Sequence, residues 1–293
     1  MRLWHMEQNW AIGMYVGNSP LALLPSPHVV NPVLTPHHIT DVKARFVADP
    51  FMIQANDRWY MFFEVWDLEN GKGKIGLATS KDALQWQYNG IVLDEPFHLS
   101  YPFVFQWEGA YYMMPECYEA NSIRLYKATD FPFQWSLSHD LISGGYLDAT
   151  ILYHVDTWWL FAADAHSDDT LHLFFASALN GHWSEHPKSP IVQKDPLSAR
   201  PAGRIILWDG RLIRYCQVSK PHYGAEVRAF EITSLGTREY HEQAVDANPI
   251  LKGSGGGWNA DGMHHSDAHQ VDADKWLACV DGHFRTRVFR PEW

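Results

Sequence analysis

Apolar and aromatic residues in this chain come in short runs separated by turn residues, and the runs recur in pairs. "DPFMIQANDRWYMFFE" places an apolar run, an Asn-Asp turn and an aromatic-rich run in order. "SYPFVFQWEGAYYMMPE" and "LDATILYHVDTWWLFAAD" repeat that layout. Short runs rich in aromatic and β-branched residues and bounded by turn residues predict antiparallel hairpins. No segment sustains apolar residues at i, i+3 and i+4, and 17 prolines punctuate the chain, so the pattern argues against helices.

Aligned on the residue that opens each apolar run (Asp49, Tyr101, Asp148, Arg200 and Asp267), the chain divides into five units about 50 residues long. The first four continue with a third apolar segment, "IGLATS", "SIRLYKAT", "LHLFFASA" and "AEVRAFEIT". A short fourth piece follows: "NGIVLD", "HDLIS", "SPIVQ" and "NPILK". The fifth unit lacks both. Matching pieces stand at the N-terminus instead, as "WAIGMYVG" and "NPVLT", and Asn31-Pro32-Val33-Leu34 echoes Asn248-Pro249-Ile250-Leu251. Four short strands per unit in a closed array predict an all-β, five-bladed β-propeller whose last blade is completed by N-terminal strands, a closure that removes exposed sheet edges. Residues 1–293 read as a single propeller domain, with "KGSGGGWNADGMHH" as a long entry loop to blade five.

The first strand of a propeller blade lines the channel and the second returns beside it. A residue opening the first strand and one ending the second therefore meet at the same face of the disc. On that reading Asp49 joins Glu64, Tyr101 joins Glu116, Asp148 joins Asp164, Asp267 joins Asp281, and Arg200 joins Gln217. The plain alternative is a set of hydrophilic strand ends meeting solvent. Gathered carboxylates raise one another's pKa, which disfavours a purely structural role and suits acid–base chemistry. In "MHHSDAH", His265, Asp267 and His269 share one face of an extended strand. They can form a hydrogen-bonded network, contact a sugar, or hold a channel ion such as calcium, with His265 and His269 as metal ligands. Arg45, Arg200 and Arg204 are the cations near the mouth, and either neutralise the acids or bind an anionic group. Trp66 and Trp258 either stack on a sugar face or pack in the core.

Composition narrows the field. The chain is 46% hydrophobic and 19% charged, a globular balance, and its 14 Trp point to β structure, carbohydrate contact or both. A formal net charge of -11 argues against nucleic-acid binding, which needs a basic face. Three widely spaced cysteines, Cys117, Cys216 and Cys279, form no C-x-x-C pair and read as buried free thiols. The N-terminal stretch lacks the apolar core of a signal peptide, and no run reaches the roughly 18 apolar residues of a membrane helix. A cytoplasmic location without membrane insertion is the expectation.

Asp49-Pro50 at the start of blade one, Asp148 opening blade three and a glutamate from another blade resemble the five-bladed glycoside hydrolases, both the arabinanase and β-xylosidase group and the invertase and levansucrase group. Met114-Pro115-Glu116-Cys117 resembles the Glu-Cys motif that carries the general acid in the invertase group, although it falls one blade earlier here and the "NDPNG" extension is absent. "DPFMI", "WYMFFE", "GKIGLATSKD", "MPE", "GWNADGMHHSDAHQ" and "WLACVDG" are similar to the N-terminal domain of glucosamine inositolphosphorylceramide transferases, over nearly the whole chain. That resemblance implies a five-bladed propeller and a sugar ligand, while the transferase chemistry belongs to a separate domain.

Two functions follow. The first is a glycoside hydrolase or transglycosidase acting in the central pocket, with Asp49 as base or nucleophile, Glu116 as general acid and Asp148 orienting the sugar or tuning the acid. Glu64, Arg200, Arg204, His265, Asp267, Trp66 and Trp258 would contact the substrate, and no organic cofactor is called for. The alternative is a non-catalytic glycan-binding module that assists a partner glycosyltransferase.

Overall fold

A computed structural model describes residues 3–167 and 169–290. Five antiparallel sheets form the blades of a propeller. Blade one runs from Ala44–Ala55 through Arg58–Asp67 and Lys72–Ser80 to Gln87–Leu93, and blade two from Ser100–Trp107 to Gln134–Ser143. Blade three opens with Tyr146–His154 and ends on the short Ser184–Glu185, and blade four opens with Ile206–Trp208 and reaches Tyr240–Ala244. Blade five is built from Ser266–Asp272, Lys275–Arg290, Leu3–Gly17 and Leu23–Pro25. Among the described residues no helix is long and apolar enough to cross a membrane.

The inner hairpins turn where the sequence lets them. Asn56-Asp57, Glu108-Gly109, Val155-Asp156 and Asp209-Gly210 all hold positive φ at both residues, the mirror-image turn that matches the twist of paired strands. Large side chains then fill the spaces between blades. Phe51, Phe62, Phe103, Met113 and Leu160 join blades one to three; Ile12, Met52, Phe63 and Cys279 join blades five and one. Blade four is packed on both sides, through Tyr215, Val227 and Trp276 and through Phe161, Leu212 and Tyr240. All three cysteines are buried free thiols.

Closure follows the sequence echo, with one correction. Leu3–Gly17 pairs with Lys275–Arg290 along its whole 15-residue length. The fourth strand is Leu23–Pro25, not "NPVLT". "NPVLT" instead docks beside Ile12, through the Ile12 N–H on the Leu34 carbonyl at 3.0 Å and the Val33 N–H on the Ile12 carbonyl at 2.8 Å. Its Asn31 side chain bonds both the N–H and the C=O of Met14, as Asn248 does for Ala229 in blade four. The two Asn-Pro segments thus clamp the third strand of their blades in the same way, while separate short strands, Leu23–Pro25 and Tyr240–Ala244, take the fourth place.

Three inner strands carry the same irregularity. Pairing slips between Ala48 and Phe51, between Ser100 and Phe103, and between Leu147 and Thr150. Inside each slip sits a residue with positive φ: Asp49 at 52°, Tyr101 at 44° and Asp148 at 51°. Hairpin register corrects the alignment of the last two blades. Gln54, Leu207 and Gln270 occupy one place opposite Trp59, Leu212 and Trp276, so Ala202 and His265, not Arg200 and Asp267, are the equivalents of Asp49. The same register puts Ala163, opposite Leu147, in the place of Glu64 and Glu116, and Asp164 one residue beyond it. Asp164 turns away to accept the His166 N–H at 2.7 Å and to face His172.

Deleting residues 1–35 removes two strands of blade five and uncovers both the Lys275–Arg290 edge and the apolar surface at Met52 and Phe63 that packs on Ile12 and Met14. The truncated chain should aggregate and lose its cooperative melt in size-exclusion and thermal-unfolding measurements. A monomer melting near the full-length temperature would contradict ring closure as the source of stability.

Candidate active site at the channel mouth

The slipped inner strands turn Asp49 and Asp148 toward the channel, and Glu64 and Glu116 stand beside them on the second strands, opposite Ala48 and Ser100. These groups meet at a cavity of about 350 Å³ whose wall includes Asp49, Glu64, Glu116, Arg200 and His264. Trp10, Phe46, Trp66 and Tyr223 supply its aromatic surface. An adjoining compartment of about 480 Å³ shares Trp10, Phe46 and Tyr223 and extends to Gln8, Arg45 and Arg285. Arg45 stands there, facing Glu7 at 3.5 Å.

On one side, Glu116 accepts the Ser100 hydroxyl at 3.0 Å and the Tyr118 N–H at 2.7 Å. His98 bridges the two glutamates, its Nε2 lying 3.7 Å from Glu116 and 3.8 Å from Glu64. Its Nδ1 accepts the Gly73 N–H at 2.8 Å, which puts the ring proton on Nε2, aimed at both carboxyls. Burial lowers the His98 pKa, so the ring is neutral at neutral pH and brings a polar N–H toward the glutamates without a charge. A side chain at position 73 would collide with the Leu99 carbonyl at 2.2 Å and Glu64 at 2.8 Å, so this approach requires glycine. Burial raises the Glu64 pKa well above the usual range, with Asp49 and Glu116 adding to it, and pushes Glu116 up to about 7 against the pull of the Tyr118 N–H.

Across the pocket, Asp281 accepts the Asp49 N–H at 2.9 Å and the His264 Nδ1 proton at 2.8 Å. His264 lies stacked on Trp10 at 4.0 Å, with Nε2 3.7 Å from Asp49. Burial disfavours charge on His264, but Asp281 outweighs it and the His264 pKa rises; His264 in turn holds Asp281 low despite its burial. Burial pushes Asp49 up to about 7, with His264 opposing. Asp148 is tied down by the Arg200 Nε at 2.5 Å and the Gln217 amide at 2.9 Å. The site therefore holds two kinds of carboxyl: Glu64, Glu116 and Asp49 with raised pKa, and Asp148 and Asp281 fixed by cationic or imidazole partners.

Asp49, Glu64, Glu116, Asp148, Arg200 and Trp66 are thus brought together. Arg204, His265, Asp267 and Trp258 are not. Asp267 is fully buried, where it accepts Arg204 Nε at 2.9 Å, His269 at 2.8 Å and the Met52 N–H at 2.8 Å, and these partners hold its pKa low against burial. Arg204 also reaches the Val104 carbonyl and lies over Phe103. His265 sits among Phe51 and Tyr101 with neither ring nitrogen hydrogen-bonded. Tyr101 plugs the channel below the pocket by accepting the Gly203 N–H at 2.7 Å and pairing with Thr150 at 2.8 Å. Trp258 packs against Gly13 and Gly282. His269 is engaged by Asp267, so the metal-competent group shifts: Asp49, His264 and Asp281 each offer a ligand atom, all within 4.8 Å of one another.

Sequence reasoning did not single out His98, Trp10 or Tyr223, which come from connecting segments or from the far end of the chain. Asp281 and His264 lay within recognised motifs, and a correct register for blade five would have selected both.

A family model described as "Glucosamine inositolphosphorylceramide transferase 1, N-terminal" matches residues 4–283. The chain is 38% identical to glucosamine inositolphosphorylceramide transferase 1 of Oryza sativa subsp. japonica and 35% identical to that of Arabidopsis thaliana. The alignments cover 94% of this chain but 40% and 39% of those proteins, so the chain spans about two-fifths of the length of the curated relatives. Among solved structures, the catalytic domain of a Coprinopsis cinerea GH62 α-L-arabinofuranosidase superposes with a TM-score of 0.62 at 12% identity, over 93% of this chain and 96% of that one. A thermostable family-43 glycoside hydrolase gives 0.58 at 15% identity, over 90% and 96%. These likenesses concern the fold.

The raised Glu116 pKa makes a stability prediction. Between the ordinary glutamate value and about 7, the folded chain keeps a proton that the unfolded chain has released, so this group's contribution falls as pH rises through that window and levels off above it. Glu116→Gln should therefore be more favourable relative to wild type at pH 8 than at pH 5, by roughly 1–3 kcal/mol in urea unfolding. A difference that does not change with pH would contradict the burial argument.

Proposed function

We propose, for a chain that belongs to the family described as glucosamine inositolphosphorylceramide transferase 1, N-terminal, that the channel-mouth pocket binds a sugar and cleaves or transfers its glycosidic bond by paired-carboxylate chemistry. The observation that carries this reading is the buried Glu64–His98–Glu116 group facing Asp49 across one cavity. Glycosidic cleavage needs a carboxylic acid to protonate the leaving oxygen and a carboxylate to act on the anomeric centre or its water. Glu116, with its pKa near 7, is the proton donor in this scheme, and its proton is replaced from solvent or from the attacking water. Asp49 in its ionised form is the base or nucleophile, and His264 beside it favours that form. Asp148, held by Arg200 and Gln217, adds fixed negative charge that keeps Glu116 protonated. Trp66 and Trp10 offer faces for the sugar's C–H surface.

One observation favours a second reading. The chain covers 40% of relatives named as transferases, so the pocket can instead hold a glycan for chemistry performed elsewhere. The relatives' names bring amino sugars and inositol-phosphate glycans into the test panel alongside arabinofuranosides, xylosides and oligosaccharides.

Asp49→Asn and Glu116→Gln should each reduce turnover by about 10²–10⁴-fold, while sugar binding by calorimetry changes only a few-fold. Turnover unaffected by Asp49→Asn would remove Asp49 from the mechanism. Binding by wild type without product over long incubation would select the module reading.

A further inference from the structure

On the face of the disc opposite the acid pocket, a second cleft opens between blades two and three, and we propose that it is an independent binding site for a neutral or amino sugar. Its cavity of about 260 Å³ is bounded by the hairpin tip of blade two at Trp107 and Glu108, by Tyr153 of blade three, and by the loop at Asn180. Trp107 lies 4.6 Å from Tyr153 and 4.7 Å from Trp158, ring centre to ring centre, and Tyr112 and Leu125 continue the floor. A cavity of this size is at the small end for ligand pockets and suits one ring.

Two observations separate these rings from ordinary packing between blades. Tyr153 remains 39% exposed and Trp107 is half-buried, each beside a carboxylate at its hairpin tip, Asp156 and Glu108. Hairpin register also places Trp208 of blade four at the same position as Trp107, with Arg211 lying 4.4 Å over its ring. Among the described residues no cation covers Trp107. Its neighbours are rings, and the open space beside them is edged by Ser138, His139 and Asn180, whose donors and acceptors suit sugar hydroxyls.

Charge selects among sugars. Glu108 edges the cleft, and Asp156 accepts the Tyr153 hydroxyl at 3.3 Å. Two carboxylates beside the rings repel a phosphate or uronate and accept hydroxyl or ammonium donors. The cleft faces away from Asp49 and Glu116, so it holds a glycan without taking part in its chemistry. For a ligand long enough to reach both faces, or for a glycan-coated surface, the second contact raises overall avidity.

The test is a titration of the intact chain with methyl β-glucopyranoside, methyl β-galactopyranoside, N-acetylglucosamine, glucosamine, cellotriose and xylotriose. It is followed through the Trp107 indole N–H resonance, assigned by its loss in Trp107→Phe. At least one of these sugars should shift that resonance with a Kd in the millimolar range. Tyr153→Ala should weaken the response at least tenfold. Ser138→Arg should do the same by filling the cleft from its polar side while leaving every ring in the sequence. Asp49→Asn, on the other face, should leave it intact, so failure of the proposed chemistry and failure of this site are read separately. The proposal is overturned if no sugar in the set moves the Trp107 resonance, or if the shift survives Ser138→Arg in a chain that melts like wild type.

Discussion

The mouth of this propeller depends on a local backbone constraint: an aspartate or tyrosine held at positive φ where an inner strand slips its register. A non-glycine residue in that conformation costs on the order of 1–2 kcal/mol. The chain accepts that cost at Asp49, Tyr101 and Asp148. Each slip re-aims one side chain from the blade surface into the channel. Asp49 lines the pocket, Asp148 lies behind it on Arg200, and Tyr101 becomes the plug, fully buried and bonded across to Thr150 and Gly203. The plug in turn needs Gly203, where a Cβ would meet the Ser266 carbonyl at 1.9 Å.

Burial then does the chemical sorting. Five carboxyls reach the mouth with few cations, and their fates divide by partner. Asp148 has Arg200, and Asp281 has His264. Glu64 and Glu116 share a neutral imidazole at 3.8 and 3.7 Å, which balances no charge, so desolvation dominates and both favour the protonated form. Across the pocket burial also pushes Asp49 up to about 7, but His264 beside it opposes that. Asp49 is therefore the raised carboxyl with an imidazole partner favouring its ionised form, the asymmetry that glycosidic cleavage uses.

The repeat, the turn residues and the echo between Asn31-Pro32 and Asn248-Pro249 were enough to read five blades and an N-terminal closure. They work because strand, turn and clamp are local features, set by residues near one another in the chain. Register was harder. In blades four and five the inner strand lacks an aspartate at the slipped position, and Arg200 and Asp267 attracted the alignment although Ala202 and His265 hold the place. Asp164 misled in the same way, one residue beyond Ala163. Asp49, Glu64, Glu116 and Asp148 could be selected because hairpin length fixes which face they reach. His98, Trp10 and Tyr223 could not, because ring closure and loop paths bring them in from remote segments.

The central claim is that the blades bury glutamates at the mouth deeply enough to keep them protonated near neutral pH. The most direct measurement is a carboxyl carbon-13 NMR titration of the chain labelled at glutamate, with Glu64→Gln and Glu116→Gln to assign the two resonances. The account predicts one midpoint near 7 for Glu116 and a midpoint well above the ordinary range for Glu64. Two glutamates titrating near the unperturbed value of about 4.3 would contradict it, and with it the acid half of the proposed chemistry.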